Sequence, residues 1–233
     1  MQYIQIGLSI IGLVSPMLLA LWLLRSNPSL HADAANRLLK LGGFPKRYLL
    51  CTLLLLPFTL ILAQFISLLF GHSMAQFHIS GNPSFSSAMI SPWFILISAA
   101  IIEELAWHSY GTDALLSRFS MFTASMIFTV YWALWHLPLA FIQGYYHSQV
   151  VAEGALYTAN FVFSMIVFVL LSNWLYLKSG RSILIAVLFH LSANLGNEIF
   201  ATHPDSKIIQ TGLLLIFILW IISKDNALFF RKP

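Results

Sequence analysis

The chain has 233 residues, of which 59% are apolar and only 9% are Asp, Glu, Lys or Arg. Soluble domains carry about 25% charged residues, and disordered chains combine low hydrophobicity with high charge, so this composition excludes both classes. The single cysteine, Cys51, excludes an internal disulfide framework and a multi-cysteine metal site. The formal net charge is +4, but the basic residues cluster in short loops of an apolar chain. That pattern is typical of membrane orientation rather than of a nucleic-acid partner.

Seven apolar segments have the length, or nearly the length, of a membrane-spanning helix, which needs about 20 residues. In chain order they are roughly 4–24, 48–70, 90–110, 122–141, 155–177, 183–200 and 208–222. Continuous apolar runs favour helices over the shorter, alternating strands of a barrel. The first segment lacks a basic region ahead of it and a cleavage site after it, so we interpret it as a retained helix. The predicted fold is all-α, a polytopic transmembrane helix bundle of about seven spans forming a single integral membrane domain over 1–233.

The basic residues predict the orientation of this bundle. With seven crossings, eleven of the twelve Lys and Arg residues fall on one side of the membrane, and Lys207 falls on the other. The positive-inside rule then places the N-terminus outside and the C-terminus in the cytoplasm, as expected for a multi-pass protein of a bacterial inner membrane. Residues 31–47 are expected to form an amphipathic helix whose basic side chains face anionic membrane lipid.

Ionisable side chains inside a span cost about 2.5–3.5 kcal/mol each on insertion scales, so each one needs a reason. They concentrate in three of the seven segments, which predicts one shared interior site. The candidates are Glu103, Glu104 and His108 in the third segment, His136 in the fourth, and His190 and Asn194 in the sixth. Adjacent carboxylates lie about 100° apart on a helix, so we expect at least one glutamate to be structural, either protonated or paired with His108. Taken singly, the histidines and Asn194 are also typical of hydrogen bonding between helices.

Together these residues suit hydrolysis. A carboxylate and an imidazole that share a water molecule act as general base and proton donor, and a second His with an Asn can donate hydrogen bonds to an oxyanion. The same side chains could instead hold a divalent metal such as zinc. The Gly-x-Ser-x-Gly and His-Glu-x-x-His motifs are absent, so templates from soluble hydrolases do not apply. Buried Glu and His also suit a proton-coupled carrier, but the sequence shows no inverted repeat and no paired broken helices.

Three motifs resemble those of the CPBP family of intramembrane proteases, which includes the type II CAAX prenyl proteases and the bacteriocin-processing, Abi-like proteins. EELAWH at 103–108 resembles the family's EExxxR, WALWH at 132–136 resembles its aromatic-xxx-His, and HLSAN at 190–194 resembles its HxxxN. The motifs occur in family order within 90–200, which the resemblance marks as a catalytic core.

The resemblance implies a role for each motif residue. Glu103 would activate water with His136, while His190 and Asn194 would stabilise the oxyanion. Glu104 would be an auxiliary carboxylate, and His108 stands where the family has Arg. Both a glutamate-dependent and a metal-dependent mechanism stay open, and a metal would take Glu103, His136 and His190 as ligands.

The implied function is an intramembrane endopeptidase that acts on a membrane-associated peptide or protein. The alternative is a non-catalytic membrane scaffold or a bacteriocin self-immunity protein that retains the fold.

Overall fold

The computed structural model describes residues 2–80, 91–142 and 146–232, and these form a bundle of helices. Within that part of the chain, the strand-like pairing is a single antiparallel bridge between Ile79 and Phe200. The predicted all-α membrane bundle is therefore confirmed.

The long helices coincide with the seven predicted segments to within a few residues at each end. The helices are α1 Gln2–Arg25, α2 Pro28–Leu38, α3 Lys46–Leu68, α4 Pro92–Ala106, α5 Thr112–Leu116, α6 Met121–His136, α7 Tyr146–Glu153, α8 Ala155–Lys178, α9 Ile183–Ile199, α10 Pro204–Lys224 and α11 Asn226–Phe230. A π-helical turn, Trp107–Gly111, joins α4 to α5 without a break, and 3₁₀ turns cover Met74–Phe77 and Leu137–Phe141.

Length and apolar composition single out four of the described helical segments as able to cross a membrane. They are Lys46–Leu68, Met121–Phe141, Ala155–Lys178 and Pro204–Lys224. Ile11–Arg25 and Ile183–Ile199 are apolar but shorter. The chain is thus a helical membrane protein, while the count of seven crossings and their orientation stay predictions.

Polar caps determine where three helices begin. Asn27 Oδ1 accepts hydrogen bonds from the first backbone N–H groups of α2. The Ser120 hydroxyl caps α6 in the same way, and the Ser182 hydroxyl accepts from the Ile185 N–H of α9 at 3.3 Å. Such caps satisfy backbone donors that have no partner within the helix.

Helices α8 and α9 form the centre of the bundle. Their side chains Leu171, Leu175 and Phe189 are fully buried and pack with Ile218 of α10. Large apolar side chains instead cover much of the outer surface, including Trp22, Phe58, Phe65, Leu219 and Trp220. An apolar exterior of this kind is expected of a protein whose outer surface contacts lipid.

The four segments predicted to be cytoplasmic follow the first, third, fifth and seventh apolar segments, and they meet at one end of the bundle, which we call the basic end. There Arg181 forms ion pairs with Asp33 at 2.9 Å and with Asp113 at 2.5 Å. Lys178 pairs with Asp225 at the start of α11. These contacts join the connection after α1, helix α5, the end of α8 and the C-terminal segment.

Helix α2 differs from its prediction. The segment does contain a helix, but Arg37, expected to face lipid, is only 5% exposed. It points into the bundle because Asp33 and Asp113 balance its charge there, at 2.9 and 3.2 Å. The expectation that the basic residues of this segment face lipid is therefore wrong for Arg37.

Candidate active site

Trp132 of α6 lies at the centre of the predicted site. Its indole Nε1 donates to Glu103 Oε2 of α4 at 3.0 Å. Its ring meets those of His136 and His190 nearly edge-on, with centroid distances of 4.9 and 5.7 Å, and stacks on Phe168 of α8. The structure thus brings α4, α6 and α9 together around one tryptophan, as the three polar segments predicted.

Glu103 is buried and receives two indole hydrogen bonds. Besides Trp132, Trp107 of the π turn donates its Nε1 to the same oxygen, Oε2, at 3.4 Å. Hydrogen bonds to a buried carboxylate offset part of its desolvation. Because both indoles donate to Oε2, these two contacts leave the lone pairs of Oε1 unoccupied.

Glu104 joins two imidazoles. Its Oε1 contacts His190 Nδ1 at 2.8 Å, and its Oε2 contacts His108 Nδ1 one helical turn further along the chain. All three side chains are buried. Adjacent positions on a helix point about 100° apart, so Glu103 and Glu104 have different partners. The expected pairing of one glutamate with His108 is made by Glu104.

The other nitrogen of His108 faces an amide oxygen. Asn173 of α8 places Oδ1 at 3.0 Å from His108 Nε2, and its Nδ2 donates to Ser125 Oγ at 2.9 Å. The Ser125 hydroxyl donates to the Met121 carbonyl, so its oxygen is the acceptor for Asn173, which fixes the orientation of the amide. His108 therefore donates from Nε2 to Asn173 and pairs with Glu104 through Nδ1.

This arrangement explains how histidine can stand at the position of the family's arginine. A charged His108 would donate one hydrogen bond to Glu104 and one to Asn173, so that a cation still faces the carboxylate. Sequence reasoning alone missed Asn173 and Ser125. The one available signal was a polar amide, Asn173, within the apolar run LLSNWLYL of the fifth segment.

His136 is oriented by its own helix. Its Nδ1 lies 2.8 Å from the Trp132 carbonyl oxygen. A carbonyl can only accept, so Nδ1 carries the hydrogen, and Nε2 of the neutral ring has a free lone pair. His147 of α7, which the sequence pattern did not single out, stacks on His136 with ring centroids 5.0 Å apart.

Asn194 lies beside this cluster rather than within it. Its Nδ2 donates to the Leu96 carbonyl of α4 at 3.2 Å. Leu96 precedes Glu103 by about two helical turns, and Asn194 follows His190 by about one, so this contact lies further from the basic end. The amide oxygen and the second amide hydrogen of Asn194 are not used by this bond.

A small cavity of about 10 Å³ lies beside Glu104, with Trp132 and Ser172 in its lining. This volume is close to the space that one water molecule needs. The buried Ser172 hydroxyl has no hydrogen-bond partner in the described part of the chain. Neither Glu103, His136 nor His190 lines this cavity, so it lies on the Glu104 and His108 side of the cluster.

The expected metal ligands fit a metal only in part. His136 and His190 each use Nδ1 in a hydrogen bond and leave Nε2 available, as metal-ligating histidines commonly do. Oxygen Oε2 of Glu103, however, already accepts two indole hydrogens.

A different group of residues has metal-ligand spacing. In the part of the chain that the structure describes, the ligand atoms of His72, His203 and Asp205 all lie within 4.8 Å of one another. This group lies where α3 ends and α10 begins, at the end of the bundle opposite the basic end. No cofactor is assigned to Glu103, His136 and His190.

The sequence has known relatives. Residues 85–196 match the family model described as Type II CAAX prenyl endopeptidase Rce1-like, and this range contains every predicted site residue. The chain is also 36% identical over 223 residues to CAAX prenyl protease 2 of Methanococcus maripaludis. That alignment covers 95% of this chain and 82% of the relative.

The described part of the chain is a helical membrane bundle that buries carboxylates and imidazoles from three helices, as the resemblance to intramembrane proteases implied. The chain belongs to the type II CAAX prenyl endopeptidase family. It is accordingly a CAAX-type protease, and its assignment to this group of intramembrane proteases is confirmed.

Proposed function

We propose that this protease cleaves a peptide bond of a membrane-associated protein or peptide with the residues gathered around Trp132. The observation that carries the proposal is that Glu103, His136 and His190, from three different helices, all contact that one indole. A purely structural role would not require two carboxylates and two imidazoles in the apolar interior, where each is costly.

Water activation is assigned to Glu103 and His136. The indole bonds at Oε2 leave Oε1 of Glu103 to accept a proton from water. The Trp132 carbonyl holds the hydrogen of His136 on Nδ1, so Nε2 is a second acceptor for the same water or for the proton that it releases. The attacking hydroxide would form at these two atoms.

Stabilisation of the oxyanion is assigned to His190 and Asn194. Glu104 accepts from His190 Nδ1, and the Nε2–H of the protonated ring would donate to a developing oxyanion. Asn194 would add its second amide hydrogen. Glu104 is thus an auxiliary carboxylate, which acts through His190 and His108 rather than on the substrate.

The substrate is proposed to reach the site from the cytoplasmic half of a multi-pass protein in the inner cell membrane. The name of the M. maripaludis relative supports a prenylated CAAX C-terminus as one such substrate. The preference is tested with purified protein in liposomes and a fluorogenic CAAX peptide, with and without its prenyl group. Faster cleavage of the prenylated peptide is expected.

Residue roles are tested in the same assay. Glu103→Gln and His136→Ala should abolish cleavage, while Asn194→Ala should retain a residual rate, since one lost oxyanion donor costs about 10²–10³-fold. Glu198→Gln, which changes a buried glutamate of α9 outside this cluster, is the matched control.

Equal rates for wild type and Glu103→Gln would contradict the mechanism. In cells, the termini of membrane proteins are compared between strains that express wild type or Glu103→Gln at matched levels. New termini at the natural cleavage site are expected only with wild type. Identical termini, together with no peptide cleavage by wild type, would favour the scaffold or self-immunity alternative.

A further inference from the structure

The π turn that carries Trp107 and His108 accepts hydrogen bonds from elsewhere in the protein. Its Thr112 N–H bonds to the Trp107 carbonyl, five residues back, instead of to the carbonyl four residues back. A turn of this kind departs from the regular four-residue pairing of the α-helix, and here the carbonyls of His108 and Ser109 accept hydrogen bonds from a side chain of another helix.

Arg37 of α2 supplies those donors. Its Nη1 donates to the His108 carbonyl at 3.0 Å, and its Nη2 donates to the Ser109 carbonyl at 3.1 Å. The Tyr176 hydroxyl of α8 has one hydrogen, and it lies closer to Asp113 Oδ2, at 2.9 Å, than to the same His108 carbonyl, at 3.2 Å. A planar guanidinium can hold two neighbouring carbonyls at once, so it fixes both the position and the direction of this backbone.

The guanidinium is itself held from the other side by carboxylates. Its Nε donates to Asp33 at 2.9 Å, and Asp113 of α5 lies 3.2 Å from Nη1. A buried arginine without such partners would be strongly unfavourable. Arg181 contacts the same two carboxylates. In the part of the chain that the structure describes, the hydrogen bonds of the Arg181 guanidinium go to these two carboxylates. The two arginines therefore share an ion network, but Arg37 contacts the π-turn carbonyls and the Arg181 guanidinium does not.

We propose that Arg37 is a positioning residue of the active site, which sets the direction of the His108 ring by holding the π-turn carbonyls. The inference rests on the proposed function, since the His108 ring contacts Glu104 and Glu104 contacts His190. Arg37 touches no reacting atom. Through this chain of contacts, α2, which lies outside the three sequence motifs, becomes part of the catalytic apparatus.

The test compares Arg37→Gln and Arg37→Lys with Arg181→Gln as the matched control. A displacement of about 1 Å in a catalytic group can cost about 10²-fold in rate. We expect Arg37→Gln to lower kcat by about 10- to 100-fold with KM within about twofold of wild type, because substrate binding is not changed. Arg37→Lys keeps the charge but loses the two-pronged donor, so it should not restore kcat. Arg181→Gln should keep kcat within about threefold of wild type, because the carbonyl contacts of Arg37 remain.

A second readout does not depend on activity. Hydrogen exchange of the backbone amides over 107–113, measured by mass spectrometry in lipid nanodiscs, should accelerate in Arg37→Gln and not in Arg181→Gln. Equal loss of kcat in both arginine variants, or full rescue by Arg37→Lys, would show that only the charge matters and would overturn the inference. Unchanged exchange in Arg37→Gln would overturn it as well, even if wild type proved inactive and the proposed function failed.

Discussion

Replacing Trp132 with Phe tests how Glu103 is oriented. Phenylalanine keeps an aromatic ring against Phe168 but removes the Nε1–H that donates to Glu103 at 3.0 Å. The remaining indole donor, Trp107, is at 3.4 Å and is weaker. The buried carboxylate thus loses the stronger of the two bonds that hold Oε2 and leave Oε1 for water.

The expected size of the effect follows from this bond. A hydrogen bond to a charged group contributes about 1.5–3 kcal/mol, and each 1.36 kcal/mol on the barrier is a factor of ten. If the whole loss falls on the transition state, kcat of Trp132→Phe drops by roughly 10- to 150-fold. Trp107→Phe should show a smaller loss, because its bond is longer.

Trp135→Phe is the matched control on the same helix. Trp135 also donates its indole hydrogen, but to the Gly12 carbonyl at 3.2 Å. Initial rates at saturating peptide are compared after circular dichroism has shown equal folded fractions. If Trp132→Phe and Trp135→Phe have the same kcat, the tryptophan bond does not orient the general base, and the reasoning is refuted.

Three further outcomes are expected. Asn173→Leu should lower the free energy of unfolding by about 1–3 kcal/mol in a denaturant titration, because it leaves the Nε2–H of buried His108 without an acceptor, and an unchanged midpoint would contradict this. Burial raises the pKa of Asp33, but the hydrogen bond from Arg181 and the charge of Arg37 outweigh it and hold that pKa below its usual value. The contribution of ionised Asp33 to stability is therefore complete above about pH 4 and is lost as the pH falls through the lowered pKa. The Tm of Asp33→Asn, measured against wild type, should be lower near neutral pH, and this difference should shrink below about pH 4. A difference in Tm that does not change with pH would exclude this cause. A reporter fused to the C-terminus should be active only in the cytoplasm, and activity outside would overturn the predicted orientation.

The sequence by itself determined the helical framework and the residues to consider. Apolar runs of about 20 residues are local signals, because each helix satisfies its own backbone and needs only an apolar exterior. For this reason the seven predicted segments agree with the long helices. The cost of polar groups within a span is also local, and it is sufficient to identify Glu103, Glu104, His136 and His190 as candidates from the sequence.

Only the tertiary structure decided which of these side chains meet. The rotation of each helix directs Glu103 toward Trp132 and Glu104 toward His108 and His190, and packing between helices sets that rotation. The contact of Arg37 with the His108 carbonyl joins positions 71 residues apart. No local pattern encodes such a pairing, because a basic residue on an amphipathic helix predicts a surface position. It became a buried donor because packing brought two carboxylates and two π-turn carbonyls within reach of one guanidinium.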